Sequence, residues 1–437
     1  MNTARADALA ARSHLLDEGG WQFRRGDAFR VMPPPPVAVW LGDDGAACDA
    51  PPLAGAGWTL HPVGAPGLVD ARWLDAADPA QRAELLAGLP TPGDDAAAPF
   101  AWAHRALCRR GLRLRIAAPA DDGAPPLLLQ LRHLPCDAVE APLLVVELEP
   151  GARCVVIETH VRDEVAARPP GTHVRDDFAA CPPETHVRDG APACRRDVVQ
   201  NLQLHLQLGT GARLQHWRLV QPGAGDRVAH HVHARLGGGA FYGQALLATG
   251  AAYHLQRTIV ALDGTGADAR AGSVLLADGD RGSQVDRQVR VVHAAARSAS
   301  EVDVLALARH RALAAGDLHA HVRPGAEGAD VRQHLAGIPT AGAPRLVLRP
   351  QLEIEHDAVQ AAHGATWGRL PEDALFLARQ RGLDEANALA LILQGMATAV
   401  LARGLGEDAL PDAVGATPAL AAALAGHLQR ATGDGRG

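Results

Sequence analysis

The sequence predicts a mainly β chain: a long core of short strands between a helical and irregular N-terminal region and a helical C-terminal region. Three observations predict it. Runs of roughly four to eight residues with alternating apolar side chains recur between Gly and Pro turns from about residue 107 to about 369. Helix-period text is almost absent from that span. After Leu370 the apolar period changes from 2 to 3.6.

Residues 1–106 mix helical and irregular text. Ala4 to Leu16 is Ala-rich with a helical spread of Leu, and Pro33 to Pro36 is a stiff extended stretch. Asp78 can cap a helix with Pro79 at its first position and Gly88 as its stop. We read this part as a small α-rich cap.

Residues 107–369 read as the core. Leu112 to Ile116, Leu127 to Leu131, Leu143 to Leu148, Cys154 to Ile157, Leu202 to Leu208, Arg213 to Val220 and Val228 to Leu236 are strand text. Gly-Ala steps at Gly151, Gly211, Gly266, Gly325 and Gly364 lie near strand ends. A sandwich, a barrel or a β-solenoid would write this text. Its unbroken length favours the solenoid. Aromatics are only 3% of the chain, so the interior is Ala, Val and Leu, which suits a narrow bore. Thr-His-Val-Arg-Asp occurs at Thr159, Thr172 and Thr185 with Pro pairs between copies. We read it as a duplicated surface loop over about 158–194, not a packed repeat. A metal-binding loop would use His160, His173 and His186 with Asp163, Asp176 and Asp189, but nothing brings the three histidines to one centre.

Residues 370–437 read as helices. Pro371-Glu372-Asp373 opens one that stops at Gly382. Asp384 caps a second, expected to end at Arg403 with Gly404 as its stop, and a third covers Pro418 to Gln429. The second carries a stripe of Leu389, Ile392, Leu393, Met396 and Val400, fit to pack on its own neighbours or to dock a partner on another face.

The 437 residues are 47% hydrophobic and 21% charged, ordinary for a globular chain with a large core. A net charge of -7 argues against nucleic acid as a partner. All 42 strong bases are Arg, so Schiff-base, phosphate-loop and kinase lysine chemistries are absent. No two of the six cysteines stand two to four residues apart, which leaves no zinc-knuckle or redox pair. The N-terminus has no apolar signal core, and no apolar run approaches the roughly 20 residues of a bilayer span. The expectation is a cytoplasmic chain with reduced thiols and no membrane partner.

Searches for catalytic motifs are negative: no H-E-x-x-H, no G-x-S-x-G, no G-x-G-x-x-G after a strand. In His230-His231-x-His233, a strand puts His231 and His233 on one face and His230 on the other. Such a same-face pair binds zinc or iron if a carboxylate joins it, and otherwise belongs to a solvated or satisfied strand. His319 and His321 form a similar pair. Asp278, Asp280 and Asp286 cluster around a Gly-rich turn and read as solvated.

The residues also resemble a known family. PQLEI at 350–354, HGATWGRL at 363–370, EDALFLARQRGL at 372–383 and EANALALI at 385–392 are similar to the C-terminal signature of the SufB/SufD family, on its SufD side. HVRPGAEGADVRQ at 321–333 and stretches at 83–96 and 100–119 extend the likeness. The resemblance implies a right-handed parallel β-helix core with N- and C-terminal helical domains. It implies a non-enzymatic scaffold subunit of the SUF iron–sulfur cluster assembly complex. That subunit pairs with a SufB-like paralogue through the β-helices and docks a SufC-like ATPase on the C-terminal helices. The expected docking residues are Leu375, Phe376, Arg379, Arg381, Leu389 and Met396. A transient iron–sulfur cluster, shared with the paralogue, would form at the subunit interface, with His363 of the HGAT motif on it. Flavin bound by the complex and a homodimer in the absence of the paralogue are left open. Gln360-Ala361-Ala362 replaces the Lys-Cys-Ser usual before HGAT, so no cysteine assists there. No cysteine follows Cys194, which fits the SufB side poorly. The alternative is a β-helix enzyme acting on polysaccharide, which would want converging carboxylates on one sheet face.

Overall fold

The computed structural model describes residues 3–23, 27–42, 57–63, 66–93, 96–121, 123–135, 137–162, 197–279, 282–368, 372–407 and 415–429. In the N-terminal third, helices α1 (Thr3–Leu16), α2 (Val37–Leu41), α3 (Pro79–Leu85) and α4 (Ala98–Leu107) accompany two strands, β1 (Trp58–Val63) and β2 (Val69–Asp75). The core follows as β3 (Arg110–Ile116), β4 (Leu127–His133), β5 (Val139–Glu140), β6 (Leu143–Leu148), β7 (Arg153–Val161), β8 (Val199–Leu208), β9 (Arg213–Gln221) and β10 (Arg227–Leu236). It continues as β11 (Phe241–Thr249), β12 (Tyr253–Leu262), β13 (Asp268–Asp278), β14 (Gln284–His293), β15 (Ala299–His310), β16 (Leu313–Val322), β17 (Asp330–Gly342), β18 (Arg345–Ile354) and β19 (Gln360–Trp367). Helices α5 (Glu372–Gln380), α6 (Glu385–Leu405) and α7 (Ala416–Gln429) close the chain.

The strands form a parallel β-solenoid. From β6 onward successive long strands alternate between two sheets, so each pair of strands is one coil. One sheet runs β1-β4-β7-β9-β11-β13-β15-β17-β19, the other β18-β16-β14-β12-β10-β8-β6-β3-β2 with β5 beside β8 as its tenth strand. The pairings are parallel except at the first coil, where β1 lies antiparallel on β4 and β2 on β3. These two strands come from text that reads as helical and irregular. Trp58-Thr-Leu-His-Pro-Val and Val69-Asp-Ala-Arg-Trp-Leu-Asp are too short and polar to declare themselves, and the sheet edges of β4 and β3 supply their hydrogen bonds.

Alternation puts one side-chain row of each strand into the bore, where Leu, Val and Ala stack coil on coil: Leu206, Ala234, Val260 and Val291 form one such buried row. The rise between coils is a strand spacing of roughly 4.8 Å, so small branched side chains fill the bore without voids. The corners explain the recurrent Gly-Ala steps. Gly151, Gly211, Gly239 and Gly266 each have φ between 64° and 76°, and each N–H donates to the corner carbonyl of the next coil, for example Gly211 to Gly238 at 2.9 Å. The next residue, Ala152, Ala212, Ala240 or Ala267, is fully buried. Gly364 belongs instead to the interior of β19.

The outer faces are covered on opposite sides. Phe29, Met32, Trp40 and Phe100 pack on Val199, Ala229, Tyr253 and Leu255 of the ten-stranded sheet. On the nine-stranded sheet, α6 and α7 bury Leu393, Leu401, Leu405, Leu420 and Leu424 against Trp217, Leu247, Val274 and Leu305. Here the structure departs from the expected helix end. Gly404 lies inside α6, and Gly406, with φ 75°, is the stop. The reason is contact: a Cβ on Gly404 would come within 2.1 Å of the Gly272 backbone nitrogen. By length and hydropathy α6 could cross a bilayer, contrary to the expectation that no stretch qualifies. Burial of one side on the sheet accounts for its apolar content.

Candidate functional site at the last coil of the solenoid

The solenoid begins under the antiparallel strands β1 and β2 and ends in parallel strands that nothing described continues. β18 and β19 are the last members of their sheets. His363 lies on β19, in register with Gln333 of β17. Tracing that register back gives one row across the nine-stranded sheet: His216, Gln244, Ala271, Val302, Gln333 and His363. Val302 lines the bore, so His363 continues a bore-facing row beyond the last closed coil, where it is exposed. The next same-face residue, Ala365, still packs on the bore. Beneath His363, Gln333 is buried and its Oε1 has no hydrogen-bond partner. The arrangement presents an imidazole at an open sheet edge. Trp367, two residues past Ala365, is 59% exposed.

The residues expected to dock a partner separate into two groups. Phe376, Arg379 and Arg381 are exposed and Leu375 is half-buried on or just after α5. Leu389 and Met396 are half-buried and pack into the cluster between α6 and the sheet. Among the described residues, the exposed large apolar side chains of these helices are Phe376, Leu377 and Leu391. Sequence reasoning missed the last two because Leu377 and Leu391 fall off the stripe that the sheet covers.

Four other candidate sets take their places. His230 faces the bore and His231 and His233 face outward, as strand alternation requires. His205 and His233 stack with centroids 4.8 Å apart and line a cavity of about 410 Å³ beside α4 with His104, His231, Arg290 and Arg323. Of the Thr-His-Val-Arg-Asp copies, His173, His186, Asp163, Asp176 and Asp189 lie outside the described residues. The first copy is no surface loop: Thr159, His160 and Val161 belong to β7, and His160 is buried. Asp278 and Asp286 lie on β13 and β14, while Asp280 is outside the described residues; Asp286 is buried, not solvated. His319 and His321 lie on one face of β16, opposite Glu353.

A buried polar cluster inside the bore went unforeseen. Glu158 Oε1 accepts from Arg218 Nη2 at 2.8 Å and lies 2.5 Å from His160 Nε2; its Oε2 lies 2.7 Å from His216 Nε2. Arg218 also donates to Gln256, and His230 hydrogen-bonds Gln200. Burial opposes the charge of Glu158, but Arg218 with His160 and His216 holds its carboxyl well below the usual range. Burial depresses His160, His216 and His230, so their imidazoles are neutral. Further along, Arg287 is buried without a carboxylate and donates to Gln244 (2.6 Å), Thr258 (2.8 Å) and Ser273 (2.9 Å). Valine and leucine side chains, Val289, Val302, Leu318 and Leu335, separate this cluster from the His363 end. The signal that could have found it is the i, i+2 spacing of Glu158 with His160 and His216 with Arg218.

The family description that matches this chain is SUF system FeS cluster assembly, SufBD core domain, over residues 184–396. That span runs from ahead of β8 into α6 and includes β18, β19 and His363. A stretch of 66 residues is 38% identical to the iron–sulfur cluster assembly protein SufD of Escherichia coli strain K12. It spans 15% of this chain and 15% of that protein. With a parallel solenoid and C-terminal helices, a match to the SufBD core domain over residues 184–396 and local identity to SufD, the chain is similar to the SufB/SufD family across its solenoid and into α6.

Proposed function

We propose that this chain is a non-enzymatic scaffold subunit in SUF-type iron–sulfur cluster assembly. The observation that carries the reading is the SufBD core match over 184–396, with His363 on the exposed end strand inside it. A SufB-like paralogue would add its strands to the open edges of β18 and β19, an association that satisfies backbone groups left without a described neighbour. The nascent cluster is the cargo. Neutral imidazole is an established iron ligand, and His363 would offer one from this side of the interface. A SufC-like ATPase would dock on the exposed part of the C-terminal helices, around Phe376, Leu377, Arg379, Arg381 and Leu391, and would carry the ATP chemistry. Leu389 and Met396 support that surface from below by packing on the sheet.

Co-purification tests the assembly. The tagged chain, expressed with its genomic neighbours, should retain a SufB-like chain and an ATPase; recovery of neither overturns the reading. Phe376→Ala should weaken ATPase retention about tenfold, the cost of truncating one interface anchor. For the site, His363→Ala should leave the complex assembled while cluster formation, followed by visible absorption during anaerobic reconstitution, falls at least about tenfold. Undiminished cluster formation by that variant would remove His363 from its role.

A further inference from the structure

We propose that His321, Glu353 and Glu355, with His319 beside them, form a binding site for one divalent first-row transition-metal ion on the outer face of the last coil. β16 and β18 are parallel neighbours, and their register sets His319 against Gln351 and His321 against Glu353. Strand alternation places both histidines on the same outward face. His321 Nε2 lies 2.6 Å from Glu355 Oε1 and 3.9 Å from Glu353 Oε1, and His319 Nε2 lies 3.3 Å from Glu353 Oε2. One donor atom from each of His321, Glu353 and Glu355 falls within 4.8 Å of the others.

These contacts are more than an ion pair. A neutral imidazole has one proton to share, yet two carboxylates converge on Nε2 of His321. Burial of Nδ1 leaves Nε2 as the atom the ring offers outward. Two carboxylates and an imidazole converge at close range here, an arrangement that a divalent cation satisfies. The His321 side chain is only 13% exposed while Glu353 and Glu355 are 53% and 45% exposed. The histidine is therefore anchored, and the carboxylates can open and close over an ion arriving from solvent. Around a tetrahedral ion, ligand atoms stand about 3.3 Å apart, so the 2.6 Å contact must widen by less than 1 Å, within reach of an exposed glutamate.

The ligand set names the metal class. Imidazole with carboxylate and no thiolate suits zinc and ferrous iron, not a sulfide-bridged cluster or cuprous ion. The site is separate from His363, which lies on the other sheet, and its standing does not depend on the scaffold reading.

The test uses the untagged full-length chain, stripped with chelator and titrated with Co²⁺ as a spectroscopic probe. The expected result is one equivalent of Co²⁺ with visible ligand-field absorption, displaced by Zn²⁺. His321→Ala and Glu355→Gln should each lose at least about tenfold in affinity, while His363→Ala binds as the parent does. The double variant Glu353→Gln/Glu355→Gln, altered only at exposed positions, serves if His321→Ala misfolds by circular dichroism. Absence of stoichiometric Co²⁺ binding, or binding unchanged in the double variant, overturns the proposal. Partner capture by the same variants reads the scaffold function separately.

Discussion

Asp286 sits in surroundings that an aspartate rarely takes. It is 1% exposed. Its Oδ2 accepts from Gln288 at 2.9 Å, while Oδ1 has no hydrogen-bond partner. Burial pushes its pKa up to about 7, helped by the nearby Asp317 carboxylate and opposed by Gln288, Arg349 and Arg257. A carboxyl raised in the folded state stabilises the fold fully below its unfolded pKa and loses that contribution as pH rises through the folded value. The window here is about pH 4 to 7, and at about 1.4 kcal/mol per pKa unit the loss is at most about 4 kcal/mol. Asp286→Asn keeps an oxygen for Gln288 and cannot ionise. It should raise stability by about 1–3 kcal/mol at pH 8 and much less at pH 5, read from urea midpoints. An equal shift at both pH values would show that ionisation is not the cause. None of this was legible in the sequence, where Asp286 reads as a turn residue, because its burial is imposed by the covering N-terminal segment: Gln288, its partner, donates to the Ala28 carbonyl. The place of His363 where strands give way to helices, by contrast, was legible from the change of period around it. Glu158 was not, because its partners His216 and Arg218 are 58 and 60 residues away and meet it only across the β7–β9 register.

At the scale of elements, two glycines in the nine-stranded half of the molecule do different work. Gly211 turns a corner at φ 68° with nothing within 4 Å of an added Cβ. Gly272 lies in β13, where a Cβ would come within 2.0 Å of the Val400 carbonyl oxygen of α6. Gly211→Ala should therefore cost about 1 kcal/mol, the left-handed penalty less the gain from a stiffer unfolded chain. Gly272→Ala must push backbone away from backbone, and α6 with it. The loss of packing at Leu393, Val400 and Leu401 should cost about 2–4 kcal/mol. Urea unfolding of both variants, with limited proteolysis within α6, checks the order; equal costs, or α6 no more accessible in Gly272→Ala, would contradict it. The recurring Gly-Ala text made the corners legible as turns. The seat of α6 on the sheet was hidden because Gly404 reads as a helix stop, whereas close contact between α6 and the sheet at Gly243 and Gly272 selects it. The same contact moved the end of α6 from Gly404 to Gly406.

Across the whole molecule, the solenoid stores its polar groups where water cannot reach them, and that sets its response to acid. His160, His216, His230 and His254 point into the bore, each hydrogen-bonded there. His104, His205 and His231 lie under the N-terminal cover. Burial lowers every one of these, and His104, His254 and His293 fall to about 4. A histidine depressed in the folded state contributes stability present above about pH 6.5 that is lost as pH falls through the folded value. For His104 and His254, both fully buried, that loss approaches about 3 kcal/mol each, large against a typical net stability of about 5–15 kcal/mol. Asp286 works in the opposite direction over the same window, but it is one group against many. Because the depressed histidines span β7 to β14 in adjacent coils, protonation at one coil disturbs the next through the shared hydrogen bonds. The urea midpoint should therefore fall steeply from pH 7.5 to 5.5, with net uptake of more than about one proton on unfolding. A midpoint that holds or rises on acidification would show that the bore admits water and solvates its imidazoles in the folded state. His254→Gln should flatten the slope by removing one such group. The same substitution leaves His363 and the exposed end strands untouched, so acid stability and cluster formation should separate cleanly in that variant.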